Sequence, residues 1–415
     1  MPHDTLSKLR YLVATLICLL GVSQTVPYQI TSAQSGPAEP VQALRTWSEP
    51  IPISDLNESG NVENPAIAVC PDGTAYVVWE QDDAIWYRVY RPSAGWNEAS
   101  PILPGLNARG SEPAIAVSSD CVLHLVWSKL WGYNSEIFYT FNDGNGFVTP
   151  ARVSRTETQS FQPDVALDSG GNLHVVWVET VSGGYQLYEG WPTPNLPWSK
   201  KRIKGGDGQL VQVPALAIDR DDRSHLTWMR QDKSSLDIIY KRPDDWPTGV
   251  IENISYSANP SRLPDIAIGG DQVVVVWQET VDGDDDVYVT WRRLDSNFVS
   301  VSNLSDTDAS SRAPAVAADG LGEFFVAWDE GSPTHAILTR PWPGIGNWWD
   351  FHTVSHGGTN VKHPALAAAS GDRHVYAVWA QQDSPEEDTW VIYFSDMQLM
   401  VHRFYLALIA KGYAP

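Results

Sequence analysis

Three basic side chains recur at intervals of 50 residues in the second half of the chain: Arg262, Arg312 and Lys362. Each stands two residues before a proline. Guanidinium and ammonium groups that converge on one point bind carboxylates and other anions through charge-assisted hydrogen bonds. We therefore predict an anion-binding site if the fold brings corresponding positions of neighbouring units together.

Two carboxyl groups accompany these cations. Glu279 and Glu330 each follow a tryptophan by two residues, in the same segments that supply the two arginines. Hydrolysis of a glycosidic bond requires two carboxyl groups about 5 to 9 Å apart, one as acid and one as base or nucleophile. The alternative is that these acids and cations pair with each other or are solvated at the ends of loops.

Two aromatic side chains offer a second kind of chemistry. Trp131 and Tyr133 flank Gly132 in a loop that follows an apolar strand. The faces of exposed aromatic rings are apolar and can stack on a sugar. We interpret the pair as a candidate glycan contact, and the alternative is that the rings pack against a neighbouring loop.

Carboxylates at Asp282, Asp284 and Asp286 fall within a single loop. Oxygen ligands of this kind suit Ca²⁺, although the order of the residues differs from that of an EF-hand loop. Calcium is therefore a possible ligand of this loop, and the sequence indicates no other cofactor.

Histidines invite a metal interpretation as well, but they occupy a repeated position. His124, His174 and His225 each stand three residues before a recurring tryptophan. A metal needs ligand atoms within about 2 to 2.5 Å of one point, which separate strands rarely provide. We favour a structural role for these histidines.

These residues sit in internal repeats about 50 residues long. A proline that opens an apolar, alternating segment recurs seven times, and a tryptophan follows each one 13 to 15 residues later. The prolines are Pro65, Pro113, Pro163, Pro214, Pro264, Pro314 and Pro364, and the tryptophans are Trp79, Trp127, Trp177, Trp228, Trp277, Trp328 and Trp379.

Each repeat predicts four β-strands. Two alternating segments joined by a polar turn form a hairpin, and a third aromatic strand and a weaker fourth strand follow. Four strands per unit is the pattern of a propeller blade, so we predict an all-β, seven-bladed β-propeller of four-stranded blades. Segment 47–54 resembles a fourth strand and precedes the first complete unit. We expect this N-terminal strand to close the ring.

The ends of the chain differ from the repeats. Lys8 and Arg10 precede an apolar run at 11–22, and small residues follow at 31–33. This is the pattern of a signal peptide at 1–33, because the run is shorter than the ~20 residues of a membrane span. An uncleaved anchor is the alternative. We assign 34–46 to a linker, 47–396 to the propeller and 397–415 to a C-terminal tail, and we expect the protein to be secreted or held at the cell surface.

Removal of the predicted signal peptide leaves 26 basic and 49 acidic residues, a net charge of −23. A surface this acidic repels phosphate backbones, which argues against nucleic acid as a partner. Cys70 and Cys121 are the two cysteines outside the predicted signal peptide. They lie at the first hairpin turns of adjacent units, so an oxidising compartment would allow them to form a disulfide.

The repeat Pro-Ala-Ile-Ala-Val-x-x-Asp-Gly-x-x-x-Val-Val-Trp resembles the sialidase-like propellers that carry Asp-box (BNR-type) repeats, over nearly all of 47–395. The resemblance implies that Arg262 and Arg312, with Lys362, read the carboxylate of an acidic sugar. The chain departs from the family in having seven units where sialidases have six. A single Asp-box-like turn remains at 142–147, and no nucleophilic tyrosine can be assigned. Segment 404–411 resembles the ends of some secreted bacterial proteins, which implies surface retention.

The sequence contains no Gly-rich phosphate loop, no Ser-centred nucleophile elbow and no His-Glu-x-x-His pair. We predict a monomeric, non-catalytic recognition module that binds a glycan or an extracellular protein through its loops. The alternatives are a sialidase-like exo-glycoside hydrolase that uses the predicted arginines and acids, and a mainly structural cell-surface domain. Fold class alone does not choose among them.

Overall fold

The computed structural model describes residues 46–54, 62–103, 110–193, 198–232, 235–242, 250–331, 336–344, 346–355, 359–369, 374–384 and 387–398. These residues form strands and turns, and none of them lies in a helix that could cross a membrane. The predicted signal peptide, nearly all of the predicted linker and segment 404–411 lie outside the described residues.

The first three blades follow a short N-terminal strand. In chain order the strands are β1 (Ile51–Pro52), β2 (Val62–Val69), β3 (Ala75–Gln81), β4 (Ala84–Arg91), β5 (Gly95–Trp96), β6 (Ser100–Pro101), β7 (Ser111–Val117), β8 (Leu123–Trp131), β9 (Asn134–Asn142), β10 (Ala151–Arg152), β11 (Ser160–Leu167), β12 (Leu173–Val181), β13 (Gly184–Trp191) and β14 (Ser199–Gly208).

The remaining four blades complete the ring. Their strands are β15 (Val211–Ile218), β16 (Ser224–Asp232), β17 (Ser235–Lys241), β18 (Ile251–Asn253), β19 (Ser261–Gly269), β20 (Gln272–Val281), β21 (Asp284–Arg293), β22 (Ser302–Asn303), β23 (Ser311–Ala318), β24 (Phe324–Glu330), β25 (Ala336–Trp342), β26 (His352–Thr353), β27 (Val361–Ala368), β28 (His374–Ser384) and β29 (Glu387–Gln398).

Seven antiparallel sheets form the blades of a β-propeller, as the repeats predicted. Within a blade the strands run from the inside of the ring to the outside in chain order, as in β19-β20-β21-β22. Each innermost strand packs against the innermost strands of both neighbouring blades. In blade one, β5 and β6 both pair with β4, so the outermost position is filled by two short segments.

The N-terminal strand closes the ring. Strand β1 pairs with β29 and forms the outermost strand of blade seven, with Ile51 opposite Phe394. Ile53 is fully buried, and the Ser48 N–H donates to the carbonyl oxygen of Asp396 at 2.7 Å. The two ends of the ring therefore share one sheet, in which β29 is paired on both sides.

The recurring proline and tryptophan face each other across a β-bulge. In blade five, Leu263 and Pro264 together oppose Trp277 alone, and the corresponding residues of the other blades do the same. The residue before each proline has a positive φ between 46° and 55°. A residue before proline avoids the right-handed helical region, and a bulge sharply turns the strand that carries it. The seven bulge residues are Asn64, Glu112, Gln162, Val213, Leu263, Ala313 and His363.

Several of these bulges also join neighbouring blades. In four blades the N–H of the bulge residue donates to a side chain of the preceding blade. The donor and acceptor residues are Glu112 and Glu80 (2.5 Å), Gln162 and Glu112 (2.8 Å), Val213 and Gln162 (2.9 Å), and Ala313 and Gln278 (3.3 Å). A bulge N–H has no partner in its own ladder, so these bonds satisfy it and hold adjacent blades in register.

The seven tryptophans are at most 1% exposed. A side chain of this size buries about 150–250 Å², which is worth roughly 4–6 kcal/mol before the entropy of ordering is subtracted. In five blades the indole N–H also donates to the side chain two residues later. These acceptors are Gln81, Glu179, Glu279, Glu330 and Gln381.

Blades two and four lack this acceptor. Lys129 and Arg230 occupy its position there, and neither side chain can accept a hydrogen bond. Within the described residues, the indole nitrogens of Trp127 and Trp228 have no hydrogen-bond partner.

Replacing Trp277 and Trp228 by phenylalanine separates packing from hydrogen bonding. Both substitutions remove a similar ring area, but only Trp277→Phe takes a donor from the buried Glu279 carboxylate. We expect Trp277→Phe to lower the free energy of unfolding by about 1–3 kcal/mol more than Trp228→Phe does. Guanidinium unfolding followed by circular dichroism measures both, and equal losses would contradict a stabilising role for the indole–carboxylate bond.

Candidate functional site

One face of the ring carries the start of each innermost strand and the turn between the second and third strands of each blade. We call it the loop face. Two groups of side chains on this face combine basic groups with carboxyl groups or aromatic rings. One is a set of charged residues in blades five and six, and the other is a cleft at the rim of blade two.

The first group connects two of the predicted cations. Arg262 donates through Nη1 to the Thr280 hydroxyl at 2.9 Å, and that hydroxyl donates to Asp285 at 2.6 Å. Arg312 donates through Nε to the other oxygen of Asp285 at 2.9 Å. The structure therefore brings Arg262 and Arg312 into one network. We call these four residues, with the neighbouring Asp329, the axial group.

Two carboxyl groups of the axial group differ in acidity. Burial raises the pKa of Asp329 to about 7, against the opposing effect of Arg312. Burial also disfavours ionisation of Asp285, but hydrogen bonds from Thr280, Gln278 and Arg312 outweigh it and hold its pKa below the usual range. Two carboxyl groups whose pKa values move apart can serve as acid and base. Asp329 was not among the candidates predicted from the sequence.

The third predicted cation lies elsewhere. The Lys362 ammonium contacts Glu63 of blade one at 3.0 Å and lies 4.1 Å from the centre of the Trp390 ring. It therefore belongs to the contact between blades seven and one, while the two arginines lie in blades five and six.

The predicted acids have partners within their own blades. Glu279 and Glu330 are at most 4% exposed, and each accepts the indole N–H described above. Each also accepts a hydroxyl from the start of the innermost strand, Ser261 at 3.2 Å for Glu279 and Ser311 at 2.7 Å for Glu330. These contacts tie the tryptophan to the innermost strand, and it is Asp285 that holds the Arg312 guanidinium.

The predicted calcium ligands do not converge in the described part of the chain. Asp282, Asp284 and Asp286 form no cluster of ligand atoms, and Asp286 accepts the Ser305 hydroxyl at 3.1 Å. Among the described residues, the one cluster of three potential ligands is Cys70, Asp72 and Cys121. Its two cysteines form a disulfide between blades one and two, with Cα atoms 5.5 Å apart.

The three histidines make hydrogen bonds within their own blades. In each case Nδ1 meets a polar atom on the adjacent third strand. The pairs are His124 with Tyr139 (2.8 Å), His174 with Glu189 (3.0 Å) and His225 with Tyr240 (2.6 Å). These contacts agree with a structural role.

At the rim, blade two faces blade one across a cleft of about 520 Å³. Trp131 and Phe138 form its aromatic wall, with ring centres 5.8 Å apart, and Trp131 is 55% exposed. Lys129, Arg152 and Arg155 also line it. We call these five residues the rim cleft.

The two aromatic residues predicted to contact a sugar lie in different environments. Trp131 lies in the rim cleft, whereas Tyr133 is 99% exposed and does not line it. Tyr133 contributes its carbonyl oxygen to a hydrogen bond from Gln159 at 3.3 Å. Its ring therefore extends into solvent beside the cleft.

Positive charge exceeds negative charge in the rim cleft. The Arg152 guanidinium lies 5.9 Å from the centre of the Trp131 ring, and the Lys129 ammonium lies 5.4 Å from that of Phe138. Burial lowers the pKa of Lys129. Arg152 has a carboxylate neighbour, Glu136, at 3.7 Å. In the described part of the chain neither Lys129 nor Arg155 forms an ion pair.

Two further carboxyl groups bridge innermost strands. Asp164 accepts the N–H of Leu216 in the next blade at 2.7 Å, and Asp265 accepts that of Val316 at 2.7 Å. Burial raises the pKa of Asp164 to about 7 and that of Asp265 to about 6. Neither carboxyl group was predicted, although each stands where the other five repeats have alanine after the recurring proline.

Comparison with known proteins bears on the fold. No protein-family profile and no curated protein sequence matches this chain. Among solved structures, the lectin BP39L from Burkholderia pseudomallei matches with a TM-score of 0.55 and 14% identity, over 81% of this chain and 95% of the lectin. The polysaccharide lyase Uly1 matches with a TM-score of 0.50 and 13% identity, over 81% of this chain and 90% of the lyase.

A sialidase from Trypanosoma rangeli also matches, with a TM-score of 0.45 and 10% identity, over 89% of this chain and 61% of the sialidase. Lectin and sialidase propellers are thus structural neighbours of this chain at low identity. The lectin and lyase matches show the β-propeller fold alone, and the Asp-box repeats are not confirmed.

Asp164 and Asp265 make stability depend on pH. Their pKa values of about 7 and about 6 lie above the ordinary 3.8, so the folded chain binds protons more tightly than the unfolded chain. This stabilisation is complete below about pH 4 and is lost as the pH rises through about 6 to 7. We expect the free energy of unfolding to fall between about pH 5 and about pH 8, and to fall less in Asp164→Asn/Asp265→Asn.

Guanidinium unfolding at the two pH values measures the effect. The double variant is the reference for the wild-type protein, because every other titrating group is the same in both. The same fall in both proteins would show that these two carboxyl groups do not link protonation to folding.

Proposed function

We propose that the protein is a glycan-binding β-propeller, and that its rim cleft is the binding site. The observation that carries the proposal is the exposure of Trp131, whose large ring remains 55% exposed beside Phe138 in a concave surface. Binding sites for small molecules combine apolar and aromatic walls with a few polar groups that fix orientation. A sugar ring stacked on Trp131 would meet the basic groups at its polar edge.

Other features support the proposal. The rim cleft lies on the loop face, where side chains tolerate variation without disturbing the blades. The shared fold with a lectin and with a polysaccharide lyase is compatible with it. The predicted signal peptide at 1–33 and the disulfide suit a protein that is secreted or held at the cell surface. We propose that it acts there as a monomer without a cofactor.

Substitution of Trp131 tests the site. We expect Trp131→Ala to weaken glycan binding at least about tenfold, because the ring supplies the stacking surface, a loss of roughly 1.4 kcal/mol. A glycan array identifies the ligand, and isothermal titration calorimetry measures the affinity of each variant. Tyr133→Ala is the matched control, since that ring is exposed two residues away but outside the cleft. Equal affinities for the wild-type protein and Trp131→Ala would exclude the rim cleft.

A second candidate function is glycoside hydrolysis at the axial group. The observation in its favour is the pair of carboxyl groups with divergent acidity, Asp329 and Asp285, beside two arginines. Asp329, protonated near neutral pH, would donate a proton to the leaving oxygen, and ionised Asp285 would act as base or nucleophile. Arg262 and Arg312 would orient an acidic sugar.

Fluorogenic glycosides, a sialoside among them, test this second function. If it holds, Asp329→Asn should lower turnover about 100-fold or more, because general acid catalysis contributes roughly that much. Asp282→Asn is the control, since that carboxyl group lies outside the axial group. Absence of turnover by the wild-type protein on every glycoside would eliminate hydrolysis and leave the binding function.

A further inference from the structure

The outermost strand of blade three is strongly basic. Strand β14 begins at Ser199 and carries Lys200, Lys201, Arg202 and Lys204 among its first six residues. It is the longest outermost strand of the seven sheets, ten residues where blades two, four, five, six and seven have two or three. The Arg202 and Lys204 side chains are exposed. An edge strand of this kind presents its charges to solvent.

This strand adjoins the rim cleft. Lys200 donates through Nζ to the carbonyl oxygen of Ser154 in blade two at 2.9 Å, and Ser154 directly precedes Arg155. The basic residues of blade two and of β14 are therefore neighbours on the surface. We call the combined set the basic track: Lys129, Arg152, Arg155, Lys200, Arg202 and Lys204.

Local charge along the track differs from that of the whole chain. Segment 129–204 has seven basic and seven acidic residues, within a chain of net charge −22. Three of those acids, Glu136, Glu179 and Glu189, are at most 3% exposed. The exposed charge of the segment is therefore mainly positive.

Two cations of the track lack acidic partners. Arg202 bonds to the neutral side chain of Gln186 at 2.9 Å, and in the described part of the chain neither Arg202 nor Lys204 forms an ion pair. Lys200, by contrast, contacts Glu179 at 2.6 Å. Cations without an acidic partner thus extend from Arg155 in the rim cleft to Lys204 of β14.

We propose that the basic track binds a linear polysaccharide that carries carboxylate groups along its length. The inference rests on the proposed glycan-binding function and names the ligand class. Trp131 stacks one sugar ring, and Arg152, Arg155 and Arg202 pair with successive carboxylates. Arginine suits this task because its planar fork matches a carboxylate in two parallel hydrogen bonds.

The spacing of the cations favours an extended ligand. Lys200 and Arg202 lie about 7 Å apart along the strand, since each residue adds about 3.3 Å, and Lys204 lies in the bulge at 203–206 that follows. Cations spread over this distance fit charges repeated along a chain better than a single anionic group. A nucleic acid has a denser charge, and the net charge of −22 repels it more strongly. We therefore favour a polysaccharide over a nucleic acid.

The test compares galacturonate and galactose hexasaccharides by calorimetry at low and moderate salt. We expect the galacturonate chain to bind at least about tenfold tighter than the galactose chain, with an affinity that falls as salt rises. Arg202→Ala/Lys204→Ala should lose about tenfold for galacturonate and nothing for galactose. Arg220→Ala/Arg293→Ala, two exposed cations outside the track, is the matched control and should change neither affinity.

Each contrary outcome has a distinct meaning. Equal affinity for the two hexasaccharides, with binding that still depends on Trp131, overturns the inference and retains the proposed function. Binding of neither hexasaccharide overturns the inference, and failure to bind any glycan of the array overturns the proposed function as well. Tighter binding of a sulfated hexasaccharide or of a single-stranded oligonucleotide than of galacturonate overturns the carboxylate assignment.

Discussion

The pairing of a proline bulge with a buried tryptophan is the constraint on which the ring depends. In every blade two residues of the innermost strand oppose one tryptophan of the second strand. The bulge bends the start of the innermost strand, and the tryptophan fills the space between adjacent sheets. In four blades the bulge N–H then bonds to a side chain of the preceding blade. In those blades the bulge both shapes the blade and joins it to its neighbour.

The rim cleft and the basic track coincide with departures from this repeat. In blade two, Lys129 replaces the residue that accepts the indole N–H in five other blades, and its ammonium lies over Phe138 in the rim cleft. In blade three, the outermost strand is long and basic where most blades have a short one. A repeat position that abandons a stabilising contact is expected where function sets the residue type.

The sequence predicts the architecture well because the repeat encodes it directly. Proline and tryptophan recur at a constant period, and alternation within each unit identifies the strands, so the seven blades and the closure by 47–54 follow. The bulge was not predicted, because it lies one or two residues after the start of each innermost strand and leaves the alternation that follows the proline unaffected. Glu279 and Glu330 resembled catalytic acids, since a sequence cannot reveal that an indole two residues earlier occupies them.

Contacts between blades were the harder part to predict. Arg262 and Arg312 were expected to be close, and the network through Thr280 and Asp285 joins them, but Lys362 contacts Glu63 at the opposite end of the chain. The basic residues of β14 were not among the candidates predicted from the sequence. Lys200 contacts Ser154 of the neighbouring blade, and a sequence does not reveal a contact between residues 46 positions apart.

A crystal structure of the protein with a bound galacturonate hexasaccharide tests the central claim most directly, namely that departures from the repeat in blades two and three form the binding surface. The account predicts a sugar ring against Trp131, with carboxylates beside Arg155 and Arg202. A sugar bound at the axial group, in contact with Arg262 and Arg312 while the rim cleft holds none, would contradict it.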